Sequence, residues 1–185
     1  MTTIEHLTTP ELEAGLDGIR DAPRDGGRVE LIVRRPAEGE RESLATGELD
    51  LAVGLVGDRW GRPRRGGRQS NPNTQLTVMN ARSAALVAQA KERWGLAGDQ
   101  LYVDLDISEE NLPPGTRLAV GSAVIEVTPT PHTGCKKFVE RFGMDAMLFV
   151  NSEVGKALRL RGMNTKVVIP GTVRLGDVVS KHAAT

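Results

Sequence analysis

The sequence predicts a mainly β protein with inserted short helices, an α+β chain that closes or nearly closes into a β-barrel. Three observations carry this. About seven or eight short runs read as strands, by apolar–polar alternation or β-rich composition. Gly and Pro punctuate the chain at intervals of roughly ten residues. No glycine-rich nucleotide loop follows the first strand and no long strand–helix alternation develops, which sets aside a doubly wound sheet.

Taken in order, residues 1–27 read as a helical appendage and a loop ahead of a barrel domain at 28–185. Thr8 or Thr9 caps a short helix, Pro10 suits its first turn, and Gly15 and Gly18 weaken it. Arg28–Arg35 alternates as a strand with Val29, Leu31 and Val33 on one face. Glu48–Leu51 is a candidate strand to pair with it. From Arg62 to Asn73, Arg alternates with Gly and Pro, which cannot build a core. This is an exposed basic loop, either simply solvated or an anion-facing lid over 62–68. Thr74–Met79 reads as a strand, and Asn80 caps a helix running to about Trp94. Leu101–Ile107 alternates as a half-buried strand. Arg117–Val120 and Ala123–Val127 form a hairpin across Gly121-Ser122. Short helices are expected at Lys136–Phe142, Asp145–Val150 and Glu153–Leu160, the last capped by Asn151 or Ser152. Strands at Asn164–Ile169 and Thr172–Val179 flank a Pro170-Gly171 turn.

The totals exclude several function classes. Lys and Arg number 24 and Asp and Glu 24, so no net field draws nucleic acid or an acidic membrane surface. Aromatics make up 3%, too few for base-stacking platforms. A single cysteine forbids an internal disulfide and a multi-cysteine zinc site. No run approaches the roughly 18 apolar residues of a membrane span, and the first residues lack a secretory pattern. A cytoplasmic protein is expected, where a free thiol persists.

That thiol, Cys135, sits in Thr128-Pro-Thr-Pro-His-Thr-Gly-Cys-Lys-Lys-Phe138. Free cysteines often serve as small buried hydrophobes. Here His132, Lys136 and Lys137 lie close in sequence, Gly134 lets the backbone approach something, and a helix begins, all of which suit a thiolate. A thiolate attacks electrophiles, carries sulfur as a persulfide, or ligates a soft metal. His132 is a candidate base, or equally a loop histidine bonded to backbone. Arg141, Arg159 and Arg161, with Gly162 and Asn164, form a second group, either a charged turn or a set of the kind that grips oxyanions or phosphates. Asp58 and Arg59, after Gly57, are a third.

Together these pieces resemble the MOSC domain, first described at the C-terminus of molybdenum-cofactor sulfurases. The resemblance spans roughly Arg28 to Val179. It rests on Gly57-Asp58-Arg59, Gln75-Leu76-Thr77, Asn111–Gly115, Leu118–Gly121, Ile125–Thr128, Pro131–Phe138, Arg141-Phe142-Gly143, Leu160-Arg161-Gly162 and Gly171–Asp177, in that order. It implies a β-barrel with Cys135 as the functional cysteine, either ligating molybdenum in a bound molybdopterin or receiving sulfur as a persulfide from a pyridoxal-phosphate desulfurase. No intrinsic pyridoxal phosphate site is read in this chain. The resemblance also implies a reductase of N-hydroxylated compounds served by a separate electron-donor protein, since no cysteine cluster for an iron–sulfur centre is present. The phosphate of the pterin would fall to Lys136, Lys137, Arg141, Arg161 and Arg59, with Asn164 and His132 as further cofactor-binding residues. Three further readings stay open: a sulfur carrier without turnover, an anion-binding domain with a structural cysteine, and a Cys–His hydrolase.

Overall fold

The computed structural model describes residues 4–62, 67 and 70–183. The chain opens with two helices, α1 (Thr9–Ala14) and α2 (Leu16–Arg20), broken at Gly15. The Thr8 backbone N–H and hydroxyl both donate to Glu11 Oε2, at 2.8 and 2.7 Å, which caps α1. Strands β1 (Gly27–Arg34), β2 (Glu42–Ser43), β3 (Thr46–Asp50), β4 (Gly54–Leu55), β5 (Leu76–Asn80) and β6 (Leu101–Asp104) follow. Helix α3 (Ala81–Ala88) and a 3-10 segment, Lys91–Ala97, connect β5 to β6. The rest comprises β7 (Arg117–Val120), β8 (Ala123–Val127), α4 (Lys136–Phe142), α5 (Met144–Asn151), α6 (Glu153–Ala157), β9 (Met163–Ile169), β10 (Gly171–Arg174) and β11 (Val178–His182).

Seven strands close into a ring in the order β1-β6-β5-β9-β8-β7-β11, with β11 returning to β1 through Gly27↔Val179 and Arg28↔Val178. Every neighbouring pair is antiparallel except β5–β6, which is parallel. A parallel pair needs a long crossover, and α3 with the 3-10 segment supplies it. A smaller sheet, β10-β3-β4, completes the structure.

Alternation along the strands divides the apolar residues between two cores. Val29, Ile32, Val78, Leu101, Val103 and Ile125 belong to the barrel's core. Val33, Met79 and Tyr102 belong to a second core with Leu12, Ile19, Trp94, Phe138 and Phe142 from the helices and the crossover. Residues of α1 and α2 are thus built into the second core.

Several expectations change. The face expected to carry Val29, Leu31 and Val33 is split, because the β1–β6 register shifts between Val29 and Leu31. The bulge turns Ile32 to the barrel while Leu31 and Val33 pack on the helices. β3 pairs with β10 and β4 rather than with β1, whose partner at that end is β2. The helix expected to reach Trp94 stops at Ala88, where Gln89 takes φ +64°. The strand around Tyr102 is not half-exposed, since both of its faces are covered. The strand expected at Thr172–Val179 is two, β10 and β11, separated at Leu175–Asp177. Of the basic loop at 62–68, residues 63–66 and 68 lie outside the described residues; Arg62 is exposed.

Candidate functional site

The stretch from Thr128 to Cys135 bridges β8 and α4 and is pinned along its length. The Thr128 hydroxyl donates to the Asn73 carbonyl at 2.6 Å. Asn164, buried on β9, donates its side-chain amide to the Thr130 and Pro131 carbonyls, both at 3.1 Å. Gly134 exchanges hydrogen bonds with the Asn151 carboxamide, 2.8 Å in one direction and 3.1 Å in the other. A β-carbon on Gly134 would lie 3.1 Å from Val150 and 3.3 Å from Met147, so the close approach made at this glycine is to α5. Cys135 then caps α4 with extended backbone (φ −130°, ψ −179°) and an exposed thiol that makes no capping hydrogen bond.

The thiol borders a cavity of about 150 Å³ lined by Arg35, Arg41, Arg59, Lys137, Arg141 and Arg161, among others. Four of these arginines are held by one feature. The end of the 3-10 segment and its cap, Gly95 to Gly98, present four successive carbonyls, and each accepts from a different guanidinium. Arg41 Nε donates to Gly95 at 2.7 Å, Arg141 Nη1 to Leu96 at 2.6 Å, Arg161 Nη2 to Ala97 at 2.7 Å, and Arg35 Nη1 to Gly98 at 2.7 Å. The carbonyls at a helical C-terminus lack partners within the helix and carry partial negative charge. Gly98, at φ +94°, ends the segment in the left-handed region that glycine adopts without cost.

Two buried carboxylates complete the frame. Asp58 takes a bidentate pair from Arg35 at 2.9 and 2.8 Å and the Trp60 N–H at 2.9 Å. Burial alone would raise its pKa, but the bonds and charge of Arg35 hold it below the ordinary carboxylate range. Asp99, fully buried, accepts from Arg161 Nη1 at 2.6 Å and faces His132 Nε2 at 3.0 Å. There too burial opposes ionisation and is overcome, chiefly by the charge of Arg161, so the carboxyl stays well below the usual range. His132 is shifted the other way, its pKa lowered first by burial and then by Arg161. An ionised Asp99 only accepts, so the neutral imidazole carries its proton on Nε2 and keeps a lone pair on Nδ1. Arg161 lies over the Phe138 ring at 5.2 Å and is only 7% exposed. Its Nε is, among the described residues, the one buried side-chain nitrogen or oxygen without a hydrogen-bond partner.

A larger cleft of about 740 Å³ adjoins this cavity and shares Arg35 and Arg59 with it; Trp60, Arg62, Thr77, His132 and Asn164 also line it. On the other side of Pro131–Thr133 a third space of about 630 Å³ is bordered by Glu109, Lys156, Arg159 and Met163.

Of the residues singled out from sequence, Cys135, Lys137, Arg59, Arg141 and Arg161 therefore border one cavity, while His132 and Asn164 border the neighbouring cleft. Lys136 is exposed and borders none of these spaces. Arg159 parts from Arg141 and Arg161: its Nη1 donates to the Ile107 and Leu112 carbonyls at 3.2 and 2.6 Å, and it faces the third space. His132 bonds a carboxylate, not the backbone, and the thiol lies outside the spaces it borders. Arg35, Arg41 and Asp99 were not visible as site residues, because no motif surrounds them and their partners are far along the chain.

Comparison with known proteins agrees with this architecture. A family model described as the MOSC domain matches residues 68–180, the span that contains Asp99, His132, Cys135, Arg141 and Arg161. No curated protein matches the chain in sequence. Among solved structures, YuaD from Bacillus subtilis is similar with TM-score 0.60 at 15% identity, over 86% of this chain and 97% of that one. YiiM from Escherichia coli is similar with TM-score 0.55 at 22% identity, over 85% of this chain and 71% of that one. YiiM from Geobacillus stearothermophilus gives TM-score 0.53 at 12% identity, over 85% and 73%. Likeness at these identities speaks for the fold alone, whereas the family model covers most of the chain in sequence. With its seven-stranded barrel and the matched span, the chain belongs to the MOSC domain family.

Proposed function

We propose that this protein binds a molybdopterin-type molybdenum cofactor and acts as a redox enzyme on N-hydroxylated compounds, with Cys135 as the protein's ligand to the metal. One observation carries the reading. An exposed thiol and a cation-lined cavity adjoin a cleft of about 740 Å³, large enough for a pterin, and the two spaces share Arg35 and Arg59. Among the described residues no three His, Cys, Asp or Glu gather, so a metal held here needs ligands of its own besides one thiolate. When bound, the cofactor supplies the electron transfer chemistry. The chain's own residues bind and orient it. Arg59 and Arg62 offer exposed cations to a phosphate, Trp60 a flat apolar face to a ring, and Arg35 a charge fixed from behind by Asp58. His132 presents Nδ1 as an acceptor in a direction set by Asp99. Electrons would come from a separate donor protein.

The test is metal analysis of protein purified from cells that make molybdopterin. Bound molybdenum is expected in the wild type and its loss in Cys135→Ala; protein without metal in both cases overturns the proposal.

A second reading is favoured by the exposure of Cys135 and its freedom from any hydrogen bond as an N-cap. In it the thiol carries sulfur as a persulfide, loaded by a cysteine desulfurase. Mass spectrometry after incubation with such an enzyme would find one added sulfur on Cys135, and sulfur appearing only on other nucleophiles would exclude it.

A further inference from the structure

The cavity beside Cys135 differs from the larger cleft in two respects. At about 150 Å³ it is below the size range of cofactor pockets and suits a small ion. It is also under-compensated. Six cations line it: Arg35, Arg41, Arg59, Lys137, Arg141 and Arg161. Among the described residues, carboxylates reach only three of them, Asp58 to Arg35, Asp99 to Arg161 and Glu38 to Lys137. Arg41 and Arg141 are fixed by carbonyl dipoles, which position a guanidinium without neutralising it. The crowding registers on Arg41, whose pKa is lowered first by burial and next by the charge of Arg141. Arg161, 7% exposed, borders the same space and has an unpartnered Nε. The surplus is therefore built into the fold by the Gly95–Gly98 carbonyls, in a cavity that Cys135 borders.

We propose that this cavity is the binding site of a small sulfur-donating oxyanion of the thiosulfonate class, of which thiosulfate is the simplest, and that Cys135 takes its outer sulfur. The proposal rests on the sulfur-carrier reading of Cys135 and names a donor for it. The Cys135 thiolate attacks the outer sulfur of thiosulfate and forms a new S–S bond. The bond between the two donor sulfurs breaks, and its electron pair leaves with sulfite. The products are a Cys135 persulfide anion and sulfite, with no net oxidant or reductant consumed. A thiolate and a dianion repel each other strongly, so the reaction needs surrounding cations for the approach alone. The same cations stabilise the charge on departing sulfite. An acceptor such as cyanide then removes the outer sulfur as thiocyanate and restores the thiolate.

The experiment supplies the whole protein with thiosulfate and follows intact mass, then adds cyanide and measures thiocyanate. One sulfur added at Cys135, catalytic thiocyanate, and loss of both in Cys135→Ser are expected. Arg59 is exposed, so Arg59→Gln should leave the fold intact. Removing one charge-assisted contact should raise the half-saturating thiosulfate concentration about tenfold. If the desulfurase loads Cys135 and thiosulfate does not, the proposed donor is wrong and the carrier reading survives. If neither loads it, both fall. Thiocyanate formation that persists in Cys135→Ser also overturns the proposal.

Discussion

Asp99 joins His132 and Arg161 directly, and its loss should be felt through both. Asp99→Ala leaves the Arg161 guanidinium buried without its counter-ion, a change that costs about 3–5 kcal/mol. Urea unfolding would measure it. His132 predicts a pH dependence of definite sign. Its unfolded form ionises near the ordinary 6.5, whereas the folded form is held neutral to lower pH. Between those values the unfolded chain binds more protons, so stability rises with pH there and falls on acidification below 6.5. The loss approaches about 1.4 kcal/mol per pH unit until the folded imidazole itself protonates. Asp99 works in a separate, more acidic window: its folded pKa is depressed, so its contribution is lost only as pH falls below the ordinary 3.8. Unfolding free energies of wild type and His132→Gln near neutrality and about one unit below 6.5 should therefore differ in slope. Equal slopes would mean the imidazole does not titrate differently in the two states.

At the level of elements, the segment from Lys91 to Gly98 matters out of proportion to its regularity. It is a 3-10 stretch that sequence propensity assigned in part to a longer helix. Its value lies in carbonyls turned outward at its end rather than in any side chain. Gly98→Ala forces a left-handed residue to carry a β-carbon, at about 1–2 kcal/mol. The added atom finds only ordinary contact, 3.9 Å from Arg141 Nη1, so the cost is backbone strain rather than a clash. Chemical denaturation should register that loss. A variant as stable as wild type would show that φ at this position relaxes. This also accounts for what sequence reading missed. Cys135 was legible because a unique thiol stands beside cations and a turn, and Arg161 because Gly and Asn flank it. Arg35 and Arg41 were not, because backbone carbonyls some 54 to 63 residues further along the chain orient them, and carbonyls have no residue type.

For the molecule as a whole, the strands were largely legible, and their alternation and turn residues implied a barrel. Which strands meet to close it was not, since β1 meets β11 through only two residue pairs at opposite ends of the chain. The bulge that redirects Leu31 was hidden for a related reason: a one-residue register shift leaves no mark in an apolar run. Little room is left at Gly27, which pairs with Val179 where the ring closes: a β-carbon there would fall 2.2 Å from the carbonyl oxygen of Asp104 on β6, a backbone atom that cannot swing aside. Gly27→Ala should cost at least about 1–3 kcal/mol and speed amide exchange along β1 and β11 before the rest of the ring. Unchanged exchange on those strands would place the weak point of the barrel elsewhere.

The crossover joins the barrel's one parallel pair, and its Gly95–Gly98 carbonyls also seat arginines of the cavity that Cys135 borders. An ion taken up between those arginines is consequently linked to the pairing of β5 with β6. An anion that binds only the folded chain raises the unfolding free energy by RT ln(1 + [L]/Kd). Occupancy at the thiol would then be readable as heat resistance of strands on the far side of the crossover, without any turnover at all.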